Sequence, residues 1–444
     1  MTRSATKLFF LLLVLLGSST PALAAQPFFT IGQADGRWWF FDTNGERFFS
    51  AGINVATSGG YYCPACGNSP YYENIMDLYG SVEAWGDVTV ERLTAWNFNT
   101  LGGWSDYGLL GDRIPYTVVM YMSGADWVSG YVPDYWSQDF YNRVADQAQT
   151  CAALADDPQL IGYFMDNEMR WGPDWRKFKT LMVDYMRLPA DAPGKAVLVN
   201  WFIERYQGNL LDFNRVYGYG LHSWDDLYRS RAIAPLPKNR EQADDHEAWT
   251  GVVADHFFQV TTDAIREADP NHLILGTRFV SWLTPTIVLE AAAPYLDVVS
   301  VNHYLVWPPI QWLAFGLDPW FRYVNVDDML AEFYEITGKP VLVSEFSFRG
   351  LDAAPPSTFP PNWLFMTARD QAQRTEWFTM FAIQCTHSEY VIGYHWFAYM
   401  DEPEEGRFDG ENSNFGIVDE MDVPYDLLVD VMTASNVEAY DWPF

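Results

Sequence analysis

Short, nearly continuous apolar runs recur along the chain, and most are followed by a longer stretch with helical spacing. The runs are RFFSAGINVA (47–56), FNTLGGWS (98–105), YTVVMYM (116–122), IGYFMDNE (161–168), HLILGTRF (272–279), LDVVSVNHY (296–304), PVLVSEF (340–346) and VIGYHWFAY (391–399). Strands buried on both faces in a parallel sheet read this way, without polar alternation. Helices are predicted over 81–96, 136–155, 246–268, 284–294, 326–337 and 368–386, with DPNH (269–272) closing one helix ahead of the next strand. Eight strands alternating with helices predict an α/β fold, a (β/α)8 TIM barrel. A doubly wound sheet would place a Gly-rich phosphate turn after an early strand, and none is present. Before the first run, FTIGQADGRWWFFDTNGERFF reads as a small N-terminal β-hairpin with DG and NG as turn signals. Residues 170–245, between the fourth and fifth strands, exceed one crossover and predict a helical excursion over the barrel mouth.

In such a barrel the chemistry gathers at the C-terminal ends of the strands. Those ends carry Asn54, Trp104, Asp166, Asn167, Glu168, Arg278, Asn302, His303, Tyr304, Glu345 and Trp396. A carboxylate at the end of a core strand is costly unless it has a role. Glu168 ends the fourth strand and Glu345 the seventh, so the barrel brings both to one pocket. Two facing carboxylates are the machinery of glycoside hydrolysis: one protonates the leaving oxygen, the other attacks or activates water. Asp166, two residues before Glu168, lies on the same strand face. It either raises the pKa of Glu168, or pairs with an Arg or caps a turn.

Composition narrows the partners. With 20 Trp, 26 Tyr and 30 Phe, the chain can build a large aromatic core or stack pyranose rings. A formal charge of −31 repels nucleic acid, anionic lipid and polyanionic substrates, and suits a neutral polysaccharide or oligosaccharide. Residues 1–24 read as a signal peptide: Arg3 and Lys7, the apolar LFFLLLVLL, then ALA. They predict a secreted protein, extracellular or periplasmic, whose residues 25–444 form a single catalytic domain, expected to be a monomer. In that setting Cys63 and Cys66 of CPAC are predicted to form a disulfide, with Cys151 and Cys385 buried and unpaired. No HExxH, His-x-His or GxSxG occurs, so neither a catalytic metal, a cofactor nor a serine esterase is expected. His222, His256 and His395 read as structural. The segment 401–416 holds six acids without EF-hand spacing, and reads as a solvated loop rather than a calcium site.

With the strand frame in place, GRWWFFDTNGERFFSAGIN, FNTLGGWSD, LIGYFMDNEMRWG, DPNHLILGTRF, DVVSVNHY and KPVLVSEFSFRG resemble the retaining (β/α)8 glycoside hydrolases of clan A. Within that clan the chain looks most like the agarase-like group related to glycoside hydrolase families 50 and 42, over about residues 28–400. LLDFNRVYGYGLHSWDDL (210–227) is similar to a stretch of the galactose-acting enzymes. The resemblance implies Glu168 as acid/base, Glu345 as nucleophile, Asn167 as the contact to the sugar 2-hydroxyl, Tyr304 as the group that bonds the nucleophile and Trp396 as the platform on strand eight. Asn54, Trp104 and His303 remain substrate-binding candidates from their place at the strand ends. The clan often has an Arg on strand two beside the nucleophile. GGWSD has none, and Arg278 on strand five is the substitute available. A β-agarase-like hydrolase is the reading this supports; a β-galactosidase, β-mannanase or β-glucanase of the same clan is the alternative. A non-catalytic sugar-binding barrel would more often have lost one carboxylate.

Overall fold

The computed structural model describes residues 27–304 and 326–442 apart from 355 and 363; the predicted signal segment lies outside the described residues. The first three strands, β1 (Thr30–Ala34), β2 (Arg37–Phe41) and β3 (Arg47–Phe48), form an antiparallel sheet. Where a two-stranded hairpin is expected, a third strand is added. Asp35 and Gly36 turn β1 into β2 with φ of 52° and 81°, the left-handed pair a tight hairpin needs. Phe29 and Phe40 pack with Ile161, Leu273, Leu342 and Ile392 of the large sheet, so the small sheet covers the end of the strands opposite their C-termini. Arg37 fixes it there: the buried guanidinium donates to the Val391 carbonyl at 3.0 Å and lies 4.7 Å over the Trp39 ring.

The main sheet is parallel throughout. Its strands are β4 (Ser50–Ile53), β5 (Thr100–Leu101), β6 (Tyr116–Val119), β7 (Leu160–Phe164), β8 (Leu273–Ile274), β9 (Phe279–Val280), β10 (Val299–Asn302), β11 (Val341–Phe346) and β14 (Val391–Trp396). A separate parallel pair joins β12 (Arg349–Gly350) to β13 (Thr367–Ala368). The order is β8-β7-β6-β5-β4-β14-β11-β10-β9, so the two edge strands belong to one stretch, 273–280. The sheet therefore curls until its edges meet in that stretch, a TIM-barrel-like arrangement. The predicted fifth strand is divided at Gly276, whose φ of 87° breaks the ladder. Its first half pairs with β7 and its second with β10.

Each predicted strand run contains an observed strand, and each predicted helix overlaps an observed one: Val82–Ala95, Gln138–Leu154, Arg240–Ala268, Thr286–Ala292, Val326–Thr337 and Gln371–Thr386. The long helix begins earlier than expected because Asn239 caps it, accepting from the Gln242 N–H. Helices Pro70–Tyr79 and Asp426–Glu438 were not anticipated. Segment 170–245 contains helices Leu181–Met186, Pro193–Arg205, Leu210–Tyr217 and Asp225–Arg229. No helix among the described residues is long and apolar enough to cross a membrane.

Candidate active site

Five neighbouring strand ends leave the sheet through left-handed residues: Val55 (φ 59°), Trp104 (62°), Tyr121 (52°), Glu168 (46°) and Arg278 (53°). Non-glycine residues avoid this region, and Val most of all. Such strain concentrates where a site over-determines the backbone. Val55, Trp104, Tyr121 and Glu168 line one cavity of about 500 Å³, together with Asn167, Glu345 and Phe397. A larger groove of about 620 Å³ runs past Ser137, Asn142 and Arg143 but contains neither glutamate. Chemistry, not size, therefore locates the site.

The two carboxylates share the cavity but have different donors. Glu168 is 9% exposed and accepts from the Trp127 indole N–H at 3.0 Å and from Asn302 Nδ2 at 3.1 Å. Both donors are neutral. Burial, then the charge of Glu345, push its pKa up to about 7. Asp166 is not the cause: its oxygens accept the backbone N–H groups of Ser123 and Asn167 at 2.8 and 2.9 Å, a turn-capping role. Glu345 is 5% exposed and pairs with the Arg278 guanidinium at 2.5 Å; its other oxygen accepts the Tyr304 hydroxyl at 2.7 Å.

Arg278 joins the two halves. It is fully buried, donates through Nε to Asn167 Oδ1 at 2.9 Å and approaches Asn54 Oδ1 at 3.4 Å. Its guanidinium lies 4.5 Å from the Trp104 ring centroid and 4.8 Å from that of Phe164. The end of strand two makes room for it. A Cβ on Gly103 would sit 2.8 Å from the guanidinium, and one on Gly102 2.6 Å from the Asn54 amide oxygen. Strand five thus supplies a cation to the seventh-strand carboxylate through space that two glycines vacate. Asn302 closes the circuit, donating to Glu168 and, at 3.3 Å, to Asn167 Oδ1, while its own oxygen accepts from Ser344. A register shift after Val301 pairs Asn302 with Glu345 instead of Ser344.

Three of the sequence candidates sit differently from expectation. Trp396 is fully buried, donates its indole N–H to the Phe415 carbonyl and packs on Phe346 and Phe378, so its ring is no open platform; the next residue, Phe397, lines the cavity. Asn54 is also fully buried and gives its amide to the carbonyls of Ser344 and Trp396, which makes it a brace between strands. His303 bonds Ser281 and stacks on Phe381 behind the wall, where burial lowers its pKa to about 4. Trp104 does line the cavity and donates to the Tyr121 hydroxyl at 2.5 Å.

Other wall residues come from loops that carry no strand signal: Tyr61, Trp127, Arg176 and Arg407. The acidic segment 401–416 is solvated only in part: Glu404 and Glu405 are exposed, while its other acids turn inward. Glu402, Asp409 and Glu411 surround the largely covered Arg407 at 3.2, 3.0 and 2.6 Å, so a guanidinium fills the centre of the cluster. Among the described residues no set of three or more His, Cys, Asp or Glu is placed to hold a metal ion. Cys63 and Cys66 are disulfide-bonded, and Cys151 and Cys385 are free and buried.

No family model matches the chain. It is 30% identical to β-agarase A of Vibrio sp. (strain JT0107), over 95% of this chain and 47% of that protein. It is 27% identical to β-agarase B of the same strain, over 83% and 38%. The chain therefore spans less than half the length of these curated relatives. Among solved structures it superposes on an agarase, AgWH50C, with a TM-score of 0.75 at 27% identity, over 95% of this chain and 66% of that one. The chain is agarase-like in sequence and fold.

Proposed function

We propose that the protein is a secreted, retaining glycoside hydrolase that cleaves β-glycosidic bonds of a neutral, galactose-containing polysaccharide such as agarose. Residues 25–444 are read as one catalytic (β/α)8 barrel behind a signal peptide. The observation that carries the mechanism is the contrast between the two glutamates. Glu345 is held by a guanidinium and a phenol hydroxyl, which fix both oxygens of the carboxyl group. Glu168 faces neutral donors and is pushed up to about 7, which keeps a proton available near neutrality. The similarity to β-agarases supplies the substrate class. A charge of −31 fits a neutral glycan.

In the first step a Glu345 oxygen attacks the anomeric carbon. The glycosidic C–O bond breaks, and Glu168 gives its proton to the departing sugar oxygen. In the second, Glu168 takes a proton from water, the water oxygen attacks the anomeric carbon and the Glu345 ester bond breaks, with overall retention. Arg278 and Tyr304 hold the nucleophile in place, and Asn167 is fixed between Arg278 and Asn302 for the sugar 2-hydroxyl.

Azide rescue tests the roles. With Glu168→Ala, an activated aryl β-galactoside should still form the glycosyl-enzyme, and azide should release the β-azide. With Glu345→Ala, azide should attack from the vacated side and give the α-azide. Reversed anomers would reverse the roles. Full activity of both variants on agarose would exclude both residues. Product sizing of the wild-type digest reads the bond cleaved.

A further inference from the structure

The loop after the first barrel strand is pinned by the Cys63–Cys66 disulfide and by backbone bonds between Cys63 and Asn68. It presents Tyr61 to the cavity that holds Glu168 and Glu345. The Tyr61 hydroxyl is buried and has no hydrogen-bond partner among the described residues. A buried phenol normally finds one, and an orphaned hydroxyl costs stability. Its ring is held on one side by the Arg407 guanidinium, 5.6 Å from the centroid, itself locked among Glu402, Asp409 and Glu411. Burial and the carboxylates of Glu402, Glu345 and Glu411 all disfavour the phenolate, so the group is a neutral hydrogen-bond donor and acceptor. An unsatisfied donor, mounted on a pinned loop in the wall of the cavity that holds Glu345, has the properties of a ligand-recognising group.

We infer that Tyr61 is a specificity-determining residue whose hydroxyl bonds one hydroxyl of the sugar ring that Glu345 attacks. This deepens the proposed function and rests on it. The neighbouring ionic cluster serves the same end by fixing the position of the ring, and the disulfide fixes the loop that carries it. Loss of one neutral hydrogen bond predicts a drop in kcat/KM of a few-fold to about tenfold.

The experiment pairs Tyr61→Phe with substrate hydroxyl deletion. Cleavage of a neoagaro-oligosaccharide is measured for both enzymes. The inhibition constants of 4-nitrophenyl β-galactoside and its 2-, 3-, 4- and 6-deoxy forms are then measured against that cleavage. The expected result is weaker inhibition of the variant by the parent sugar and by three of the deoxy sugars. One deoxy sugar should inhibit both enzymes alike, which identifies the hydroxyl. The ring is retained and an orphaned hydroxyl removed, so the melting temperature without sugar should be unchanged or higher. A variant within about twofold of wild type on the parent, or a loss equal across all four deoxy sugars, would overturn the assignment. A lower melting temperature without sugar would also overturn it, because the hydroxyl would then have a structural partner. A wild-type protein that cleaves no galactan would overturn the proposed function, and this inference with it. An active enzyme indifferent to Tyr61→Phe overturns this inference alone.

Discussion

Replacing Arg278 by Met tests the electrostatic reasoning most directly. Met keeps an unbranched apolar stem but removes the charge that lies over Trp104 and Phe164. In the structure Glu345 then retains one donor, Tyr304, at 2.7 Å. Arg278 is fully buried and the Glu345 side chain is 6% exposed, so loss of the guanidinium leaves the carboxyl group poorly compensated. Breaking a buried ion pair from one side costs about 3–5 kcal/mol. The catalytic cost has two parts. The charge-assisted bond to the nucleophile is worth about 1.5–3 kcal/mol. The anchors to Asn167 and Asn54 add about 1 kcal/mol. Together they predict a rate loss of roughly 10²–10³-fold. The loss should be as large on an aryl glycoside as on agarose, because a damaged nucleophile does not depend on the leaving group. Arg278→Lys should fall in between, since an ammonium cannot reach Glu345, Asn167 and Asn54 with one fork. The control is Arg278→Met combined with Glu345→Gln. With no buried charge left, stability should recover relative to Arg278→Met while activity stays absent. Chemical melts and initial rates of the four proteins give the cycle. If Arg278→Met lies within about 1 kcal/mol of wild type, or if Glu345→Gln fails to rescue it, the pair does not hold the nucleophile in the way argued.

Three further expectations concern Glu168. With its pKa at about 7, kcat/KM should fall as pH rises above about 7. A carboxyl whose folded pKa exceeds its unfolded value stabilises fully below the unfolded pKa, near 4.5, and that contribution disappears as pH rises through 7. Glu168→Gln should therefore flatten the stability curve between pH 4 and 8 by up to about 3 kcal/mol; parallel wild-type and variant curves in denaturant melts would count against the shift. Trp127→Phe removes a donor that favours the ionised Glu168, so the basic limb of the pH–rate profile should move to higher pH, and a limb that stays or falls would show that the indole bond does not tune the acid.

The strand frame was legible because strands buried on both faces leave continuous apolar runs, and Glu168 and Glu345 stood out as acids ending two of them. What was hidden depends on contacts between distant segments. Nothing in DEPEEGRFDGENSNFG shows that three of its six acids turn inward on Arg407, since one cation among six acids reads as solvent-exposed charge. Trp396 and Phe397 differ by one position, and alternation puts one into the core and the other on the cavity wall. A one-residue error in where a strand ends exchanges their roles. Trp127 and Tyr61 sit on loops whose course no periodicity encodes. The split of the fifth strand has a local signal in Gly276, but GTRF also fits an unbroken strand, and only the pairing to two neighbours separates the readings.

The missing arginine of the second strand has the clearest physical lesson. A pattern comparison counts GGWSD as a departure, because the expected cation is absent from its place. In three dimensions the two glycines are the other half of a replacement. A guanidinium entering from the fifth strand needs the volume beside the nucleophile that a side chain on strand two would fill. The contact of 2.8 Å that a Cβ on Gly103 would make shows that this volume is already in use. The requirement at this site is a buried positive charge bonded to Glu345 and to the amide of Asn167, and a closed ring of strand ends lets different strands meet it. That one guanidinium reaches both groups has a further consequence. Arg278 bonds Glu345 and also the Asn167 amide next to Glu168, so the relative placement of the two glutamates is set by one fork and the Asn302 bridge, not by two independent loops. The proposed retaining mechanism depends on that placement, since it requires the two carboxyl groups to lie about 5–5.5 Å apart.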